Sequence, residues 1–288
     1  MIYLLIFLCI LIIASAILWV AMLKGFKNPV RKHDRWPSDL GINYAEINIK
    51  TENSRNLYGW WIDGNQAAPL LILVHGWGRN CGRMLPYIEK LYKEGYNLLA
   101  FDSRNHGISD EDVFSSMPKF AEDIEAAINF AENEKTFTSI GLVGLSIGGA
   151  ASIFAAANDK RIKSVVTVGA FGSPKEVMLK PLKDKHIPSI PFTWLLFIYL
   201  QKAIGKKFSE FAPENFISQA EASFLIIHGT NDLTVNISQA HRLKNAAKEG
   251  MATLWEIPGR GHSDCHEEKD YWARISNFLA ETLNYKAP

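Results

Sequence analysis

The run Ile140-Gly-Leu-Val-Gly-Leu-Ser146-Ile-Gly-Gly-Ala-Ala-Ser-Ile-Phe154 constrains this chain more than any other. It opens as a short apolar segment of strand character and breaks at Gly144. It then presents Ser146 and leaves through Gly148 and Gly149 into an Ala-rich segment of helix character. A turn this tight needs neighbours with no Cβ to clash, and Gly144 and Gly148 meet that need. The Gly-x-Ser-x-Gly pattern between strand and helix holds a serine in a strained conformation with its hydroxyl projecting. The N–H of Ile147 then points from a new helix N-terminus, where developing negative charge is favoured. The pattern alone is common, and a glycine-rich turn with a solvent-facing serine is spelled the same way. The neighbours of the turn have to decide between the two.

Those neighbours follow a regular plan. Asn43–Lys50 alternates and Asn56–Ile62 is aromatic-rich, with Thr51–Ser54 as the turn of a β-hairpin. Pro69–Val74 is a continuous apolar run, as expected of a strand buried on both faces, and Asn97–Phe101 reads as another buried strand. Leu85–Glu94 reads as a helix stopped by Gly95, and Met117–Asn133 as a helix with Ile124, Ile128 and Ala131 on one face. Val165–Val168, Phe224–Ile227 and Thr253–Ile257 are further strands separated by helical segments. Strands alternating with helices predict an α/β fold, a mostly parallel sheet covered on both faces.

In such a sheet, function collects outside the carboxyl ends of the strands. The loops there read His75-Gly-Trp-Gly-Arg79, Asp102-Ser-Arg-Asn-His-Gly-Ile-Ser109, the Ser146 turn, His228-Gly-Thr-Asn-Asp232-Leu-Thr-Val235 and Pro258-Gly-Arg-Gly-His262-Ser-Asp264. A serine hydroxyl needs a base to take its proton and an acid to orient that base. Ser146, Asp232 and His262 supply the three roles in the chain order expected of this turn. Asp232 also reads as a cap for a helix starting near Thr234. Asp264 is the rival acid, too close in sequence to reach behind the His262 ring easily. His266 is the rival base, and its place beside Glu267 suggests a helix start. His75 and His228 open His-Gly turns and read as structural hydrogen-bonding residues; His33, His186 and His241 lie outside these loops. An oxyanion hole needs two backbone N–H groups. Ile147 offers one and Trp77 the other, with the Trp77 side chain either walling the pocket or packing in the core.

Taken together, His-Gly-Trp-Gly at 75–78, Asp-Ser-Arg-Asn-His-Gly at 102–107, Gly-Leu-Ser-Ile-Gly-Gly at 144–149, His-Gly-Thr-Asn-Asp at 228–232 and Gly-Arg-Gly-His at 259–262 resemble the α/β-hydrolase-fold serine hydrolases over about residues 42–283. The resemblance implies a catalytic Ser146, Asp232 and His262, an oxyanion hole from the Trp77 and Ile147 N–H groups, and no cofactor or metal. It leaves the substrate open. Two departures stand out. The His-Gly-Gly-Gly loop of many lipases is absent, and Asn105 replaces a frequent glycine, where Asn tolerates a left-handed conformation better than most residues.

The ends of the plan carry further expectations. Met1–Leu23 has no charged residue and meets the roughly 20 apolar residues that a bilayer-spanning helix needs. Ala14-Ser15-Ala16 resembles a signal-peptide cleavage site, but the segment before it has no Lys or Arg and the apolar run continues past it. The reading is an uncleaved transmembrane anchor over 1–23, a basic linker over 24–41 marked by Pro29 and Pro37, and a hydrolase domain over 42–288. Lys24, Lys27, Arg31, Lys32 and Arg35 follow the span and none precedes it, which puts the domain in the cytoplasm. Residues 173–213 are long for a plain connection and predict a lid. Its apolar run Pro191–Leu200 has lysines on both sides, so it either lies at a lipid interface or packs over the core.

The net charge of +1 argues against nucleic acid as partner, and the three cysteines, Cys9, Cys81 and Cys265, show no disulfide or zinc spacing. Cys81 and Cys265 follow two of the strand-end loops. The expected chemistry is hydrolysis of a carboxylic ester, with an apolar acyl group under the lid. Thioesterase, amidase or peptidase chemistry uses the same groups, and a catalytically silent binding protein could share the fold. Oligomeric state is not legible.

Overall fold

The computed structural model describes residues 2–25, 28, 31–184, 186 and 193–286; in the first helix, side chains at 8, 11, 18, 21–23 and 25 lie outside the description. Among the described residues eight strands form one sheet: β1 (Ala45–Thr51), β2 (Arg55–Ile62), β3 (Leu70–Val74), β4 (Asn97–Phe101), β5 (Ile140–Leu145), β6 (Ile162–Val168), β7 (Ser223–Gly229) and β8 (Ala252–Ile257). Their spatial order is β1-β2-β4-β3-β5-β6-β7-β8. The hairpin β1–β2 is antiparallel and joins β4 antiparallel; the remaining pairs are parallel. The expected hairpin and buried strands are thus present, and the sheet is mostly parallel.

Burial follows from the letters. β3, β4 and β5 are covered along their whole length, as their unbroken apolar runs require. On one face lie α3 (Met117–Glu134), α4 (Ile147–Asn158) and α8 (Ser238–Ala246), whose Ile124, Ile128, Ile153 and Leu243 join one core. On the other lie α2 (Leu85–Lys93) and α9 (Tyr271–Thr282), with Ile88, Leu91, Ile275 and Leu279 in a second core. α3 starts at Ser116, whose hydroxyl accepts the Lys119 N–H.

The order of the strands positions the site. The chain goes from β3 through α2 outward to β4, and α3 then carries it back past β3 to β5. β3 therefore ends between β4 and β5, with Val74 level with both Phe101 and Gly144. The loop after β3 comes to rest beside the Ser146 turn.

Between β6 and β7 the chain inserts α5 (Pro174–Asp184), α6 (Trp194–Ile204) and the single turn α7 (Pro213–Phe216). The start of the expected run Pro191–Leu200 lies outside the described residues; its remainder forms α6. Before β1 the chain forms α1 (Ile2–Gly25), in which Lys24 is the only charged residue. The transmembrane span expected over residues 1–23 is not supported: among the described residues, no helix is long and apolar enough to cross a membrane. α1 meets α6, where the Ser15 hydroxyl bonds the Tyr199 hydroxyl and the Trp19 ring stands edge-on to Tyr199 at 5.6 Å.

The residues expected to be a plain linker are docked. Asn28 donates to His106 Nε2 at 2.7 Å, and His33 Nε2 donates to Asp102 Oδ2 at 2.7 Å. The His33 ring also lies against Trp36, Tyr58 and Trp60. Spacing of charges and prolines gave no sign of this, because a histidine's partner across 69 residues is set only by folding. Pro29 lies outside the described residues.

Candidate active site

Ser146 occupies the turn between β5 and α4 at φ 53° and ψ −118°. That is a left-handed conformation a non-glycine residue adopts only under constraint. The constraint is the approach of α4 to the strands. A Cβ on Gly148 would stand 2.5 Å from the His75 carbonyl oxygen and 2.6 Å from that of Val74; one on Gly144 would stand 2.6 Å from Gly148 and Gly149 backbone atoms. Both glycines are required by contact, and the serine between them is forced outward. Its own N–H is held by the Val168 carbonyl at 2.8 Å.

Asp232 sits on the loop after β7, and His262 on the loop after β8. His262 Nδ1 donates to Asp232 Oδ2 at 2.6 Å. The other oxygen, Asp232 Oδ1, accepts the N–H groups of Thr234 and Val235, both at 2.8 Å. The helix expected near Thr234 begins only at Ser238, so Asp232 caps no helix: one oxygen closes the loop turn and the other holds the His262 ring. Burial pushes the Asp232 carboxyl up. Hydrogen bonds from His228, His262 and the Val235 N–H outweigh it and hold the group well below the usual carboxylate range. His228 is fully buried; its Nε2 donates to the Val235 carbonyl at 2.8 Å and stands 3.3 Å from Asp232 Oδ2. The histidine read as a turn residue thus also backs the acid.

Gly169, just past β6, went unnoticed in the sequence. It takes φ +64°, and a Cβ there would lie 3.0 Å from the His262 ring and 3.5 Å from Asp232 Oδ2. The backbone at Gly169 is the floor on which the His262–Asp232 pair rests. No motif reveals it, since the contact joins loops after three different strands.

On the β3 side, His75 is fully buried and uses both ring nitrogens. Nδ1 donates to the Gly76 carbonyl at 2.8 Å, and Nε2 accepts the Ser103 N–H at 3.0 Å. Burial lowers its pKa and keeps the ring neutral. His75 is structural, as expected: it fixes the turn that carries Gly76 and Trp77 against Ser146. Ile147 is the first residue of α4, where N–H groups have no acceptor within their own helix. Asn105 takes φ 64°, the left-handed conformation anticipated for it.

Two cavities meet at Ser146. One, of about 390 Å³, is lined by Arg79, Arg83, Ser263, His266 and Tyr271 as well as Ser146 and His262. The other, of about 290 Å³, is lined by Phe114, Met117, Phe171, Val177, Met178, Leu200 and Phe211 and is almost wholly apolar. Trp77, Ser146 and Thr234 border both. The Trp77 side chain walls the site and is not core packing. Residues of α5 and α6 line the apolar cavity.

Among the rivals, Asp264 accepts the Gly261 N–H at 2.7 Å and shapes the His262 loop. His266 lies in a 3-10 turn, close to the helix start expected of it, and lines the first cavity. Cys265 is buried and borders that cavity as well; burial pushes its thiol up to about 11. Cys81 is packed in the core and donates its N–H to Asp102 Oδ1 at 2.7 Å.

Known proteins agree with this architecture. A family model described as serine aminopeptidase, S33, matches residues 65–198. The solved structure of the Pyrococcus furiosus esterase Pf2001 superimposes with a TM-score of 0.74, at 25% identity, over 89% of this chain and 99% of the esterase. The chain has the α/β-hydrolase fold. By sequence it is 37% identical over 149 residues to an uncharacterized 31.7 kDa protein of the traX-finO intergenic region in Escherichia coli. It is 30% identical over 135 residues to the thiohydrolase aneE of Aspergillus aculeatus. The chain spans about half the length of these two relatives, 52% of the first and 41% of the second.

Proposed function

We propose that this α/β-hydrolase-fold chain is a serine hydrolase that cleaves carboxylic esters, lipid-like acyl esters foremost, through an acyl-Ser146 intermediate. The observation that carries the reading is the 2.6 Å bond of His262 to a buried Asp232 on the rim of the cavity that Ser146 also lines.

Asp232 stays ionised because its pKa is low, and it holds the proton on His262 Nδ1. That leaves Nε2 as the base. Nε2 takes the Ser146 proton as Oγ bonds the substrate carbonyl carbon, and the carbonyl oxygen becomes an oxyanion facing the Trp77 and Ile147 N–H groups. Collapse breaks the bond to the alcohol, which leaves with the proton from His262. Water, deprotonated by His262, then attacks the acyl carbon, and the tetrahedral intermediate collapses by breaking its bond to Ser146 Oγ, which takes the proton back from His262 as the carboxylic acid leaves. The apolar cavity is the acyl pocket, and α5 with α6 acts as its lid.

A thioester in place of the ester is the second reading. The likeness to a protein named a thiohydrolase favours it. The chemistry differs only in the leaving group.

The membrane anchor rests on the sequence: 23 residues without a charge followed by five basic residues, which sets the domain on the cytoplasmic side. A second observation supports a lipid-facing mouth. Outside α1, the exposed large apolar side chains among the described residues are Trp77, Ile108, Val113, Trp194, Ile198 and Leu233. All lie on loops at the carboxyl edge of the sheet or on α6, and a concentration of this kind marks an interaction face.

The decisive experiment treats purified protein with a fluorophosphonate probe and a series of acyl esters of rising chain length. Labelling confined to Ser146 and turnover that rises with chain length are expected. No labelling and no turnover, with Ser146→Ala indistinguishable from wild type, would leave a silent binding protein. Protease protection in intact cells tests the topology, where an externally cleaved domain reverses it.

A further inference from the structure

The two cavities at Ser146 differ in a way the reaction can use, and the difference points to the group that leaves. Resting on the serine-hydrolase reading, we infer that the polar cavity is a subsite for an anionic leaving group, so that the substrate is an acyl ester or thioester of a phosphate- or carboxylate-bearing alcohol or thiol.

The composition of the cavity wall carries this. Arg79 and Arg83 both line it, with His262 and His266, and none of its lining residues is an Asp or Glu. Among the described residues neither guanidinium pairs with a carboxylate; Arg31, Arg35, Arg55 and Arg274 share that trait, but Arg79 and Arg83 are the two that border the Ser146 cavity. Arg83 is held in place by donating Nη2 to the Ser263 carbonyl at 3.2 Å, one residue from His262. Arg79 is exposed and follows the Gly76-Trp77 turn directly. A guanidinium presents a planar fork of donors suited to phosphate and carboxylate.

The placement fits the steps of the reaction. The acyl chain has one apolar cavity to enter, on the α5–α6 side of Ser146. The bond that breaks then projects the alcohol or thiol to the other side of the seam, toward His262, its proton donor, and into the space that Arg79 and Arg83 border. A neutral alcohol leaves both cations without an anionic partner. An anionic one gives each a charge-assisted hydrogen bond.

The test compares matched substrates of one chain length: 1-acylglycerol 3-phosphate against 1-acylglycerol, and acyl-coenzyme A against the acyl thioester of N-acetylcysteamine. The full chain in detergent micelles is expected to favour the anionic member of at least one pair by tenfold or more in kcat/KM. The preferred pair tells whether a phosphoglycerol or a phosphorylated thiol is the source. Arg79→Gln and Arg83→Gln should each cut that selectivity ratio at least threefold, and Arg83→Lys should retain most of it. Arg79→Gln keeps the test sound if loss of the Arg83 bond to Ser263 disturbs the fold, since the exposed Arg79 has no such anchoring role. Fluorophosphonate labelling of Ser146 runs alongside. Labelling with selectivity near one, or selectivity untouched by Arg79→Gln, overturns the inference and leaves the hydrolase standing. Absence of labelling overturns the hydrolase reading itself. In that event, calorimetric binding of glycerol 3-phosphate still decides whether the cationic cavity takes an anion, and no binding overturns it.

Discussion

Among the described residues two buried aspartates are bonded to histidines, and they are alike in almost every local respect. Asp232 Oδ2 accepts from His262 at 2.6 Å, and Asp102 Oδ2 accepts from His33 at 2.7 Å. Both aspartates lie just past a sheet strand, β7 and β4. Both accept backbone N–H groups, from Thr234 and Val235 in one case and from Cys81 and Ile108 in the other. In both, burial raises the carboxyl pKa, and hydrogen bonds with the nearby histidine bring it below its ordinary value. What differs is the far side of the imidazole. The His262 side chain is 21% exposed and borders the cavity it shares with Ser146. The His33 side chain is 3% exposed, packed against Trp60 and Tyr58, and its Nδ1 is buried without a partner. An Asp–His bond is a way of fixing an imidazole. Whether it serves catalysis or fastens a strap depends on what the free edge of the ring meets.

The sharpest way to break that comparison begins with the serine. Ser146→Ala should lower kcat by about 10⁴- to 10⁶-fold with the circular dichroism spectrum unchanged. Next comes the pair itself. Asp232→Asn should cost about 10³- to 10⁴-fold in kcat by favouring the wrong tautomer of His262. Asp102→Asn should cost less than about tenfold in kcat while lowering stability by about 2–4 kcal/mol, since it weakens a buried charge-assisted network. Equal kinetic losses in the two variants would erase the distinction.

Gly169→Ala probes the floor beneath the His262–Asp232 pair. A methyl group 3.0 Å from the His262 ring, on a backbone at φ +64°, should reduce kcat by about 10²-fold through misplacement of the imidazole. A structure of the variant should show the ring displaced.

Acid titration affects both pairs in the same direction. Each aspartate has a folded pKa below its unfolded value of about 4. The stability each contributes is therefore present above that pH and is lost as pH falls through the folded value. Urea midpoints measured from pH 6 to pH 2 should fall steeply in wild type and less steeply in Asp102→Asn and Asp232→Asn. The smallest effect is expected for His33→Ala. It should lower stability by about 1–2 kcal/mol and change kcat/KM less than about threefold, because it frees the strap and leaves the cavity alone.

Much of the fold was legible because its causes are local. The short apolar runs at 70–74, 98–101 and 140–145, bounded by turn residues, read as strands covered on both faces, and the loops after them gather at one edge. The candidates Ser146, Asp232 and His262 followed from that edge and from the demand of a serine for a base and an acid. What stayed hidden depends on chain reversal and contact. His228 backs Asp232 because four residues of tight turn fold its ring over the carboxylate. Gly169 resembles any other glycine until three loops converge on it. The docking of His33 required a partner 69 residues away. The division of the site into an apolar and a cationic cavity arises from side chains of α5, α6 and the loops after β3 and β8, which no single stretch of sequence brings together.

The sequence by itself placed Ser146 on a strand-to-helix turn, since Gly144 and Gly148 leave the room that such a close turn needs. It also determined which loops could supply partners to that serine. Only the tertiary structure showed what the free edge of each ring meets: the cavity that Ser146 lines for His262, and Tyr58 and Trp60 for His33. The letters specify hydrogen-bonding capacity, but the packing of β4 and β7 on either side of β3, β5 and β6 sets what lies beyond each ring.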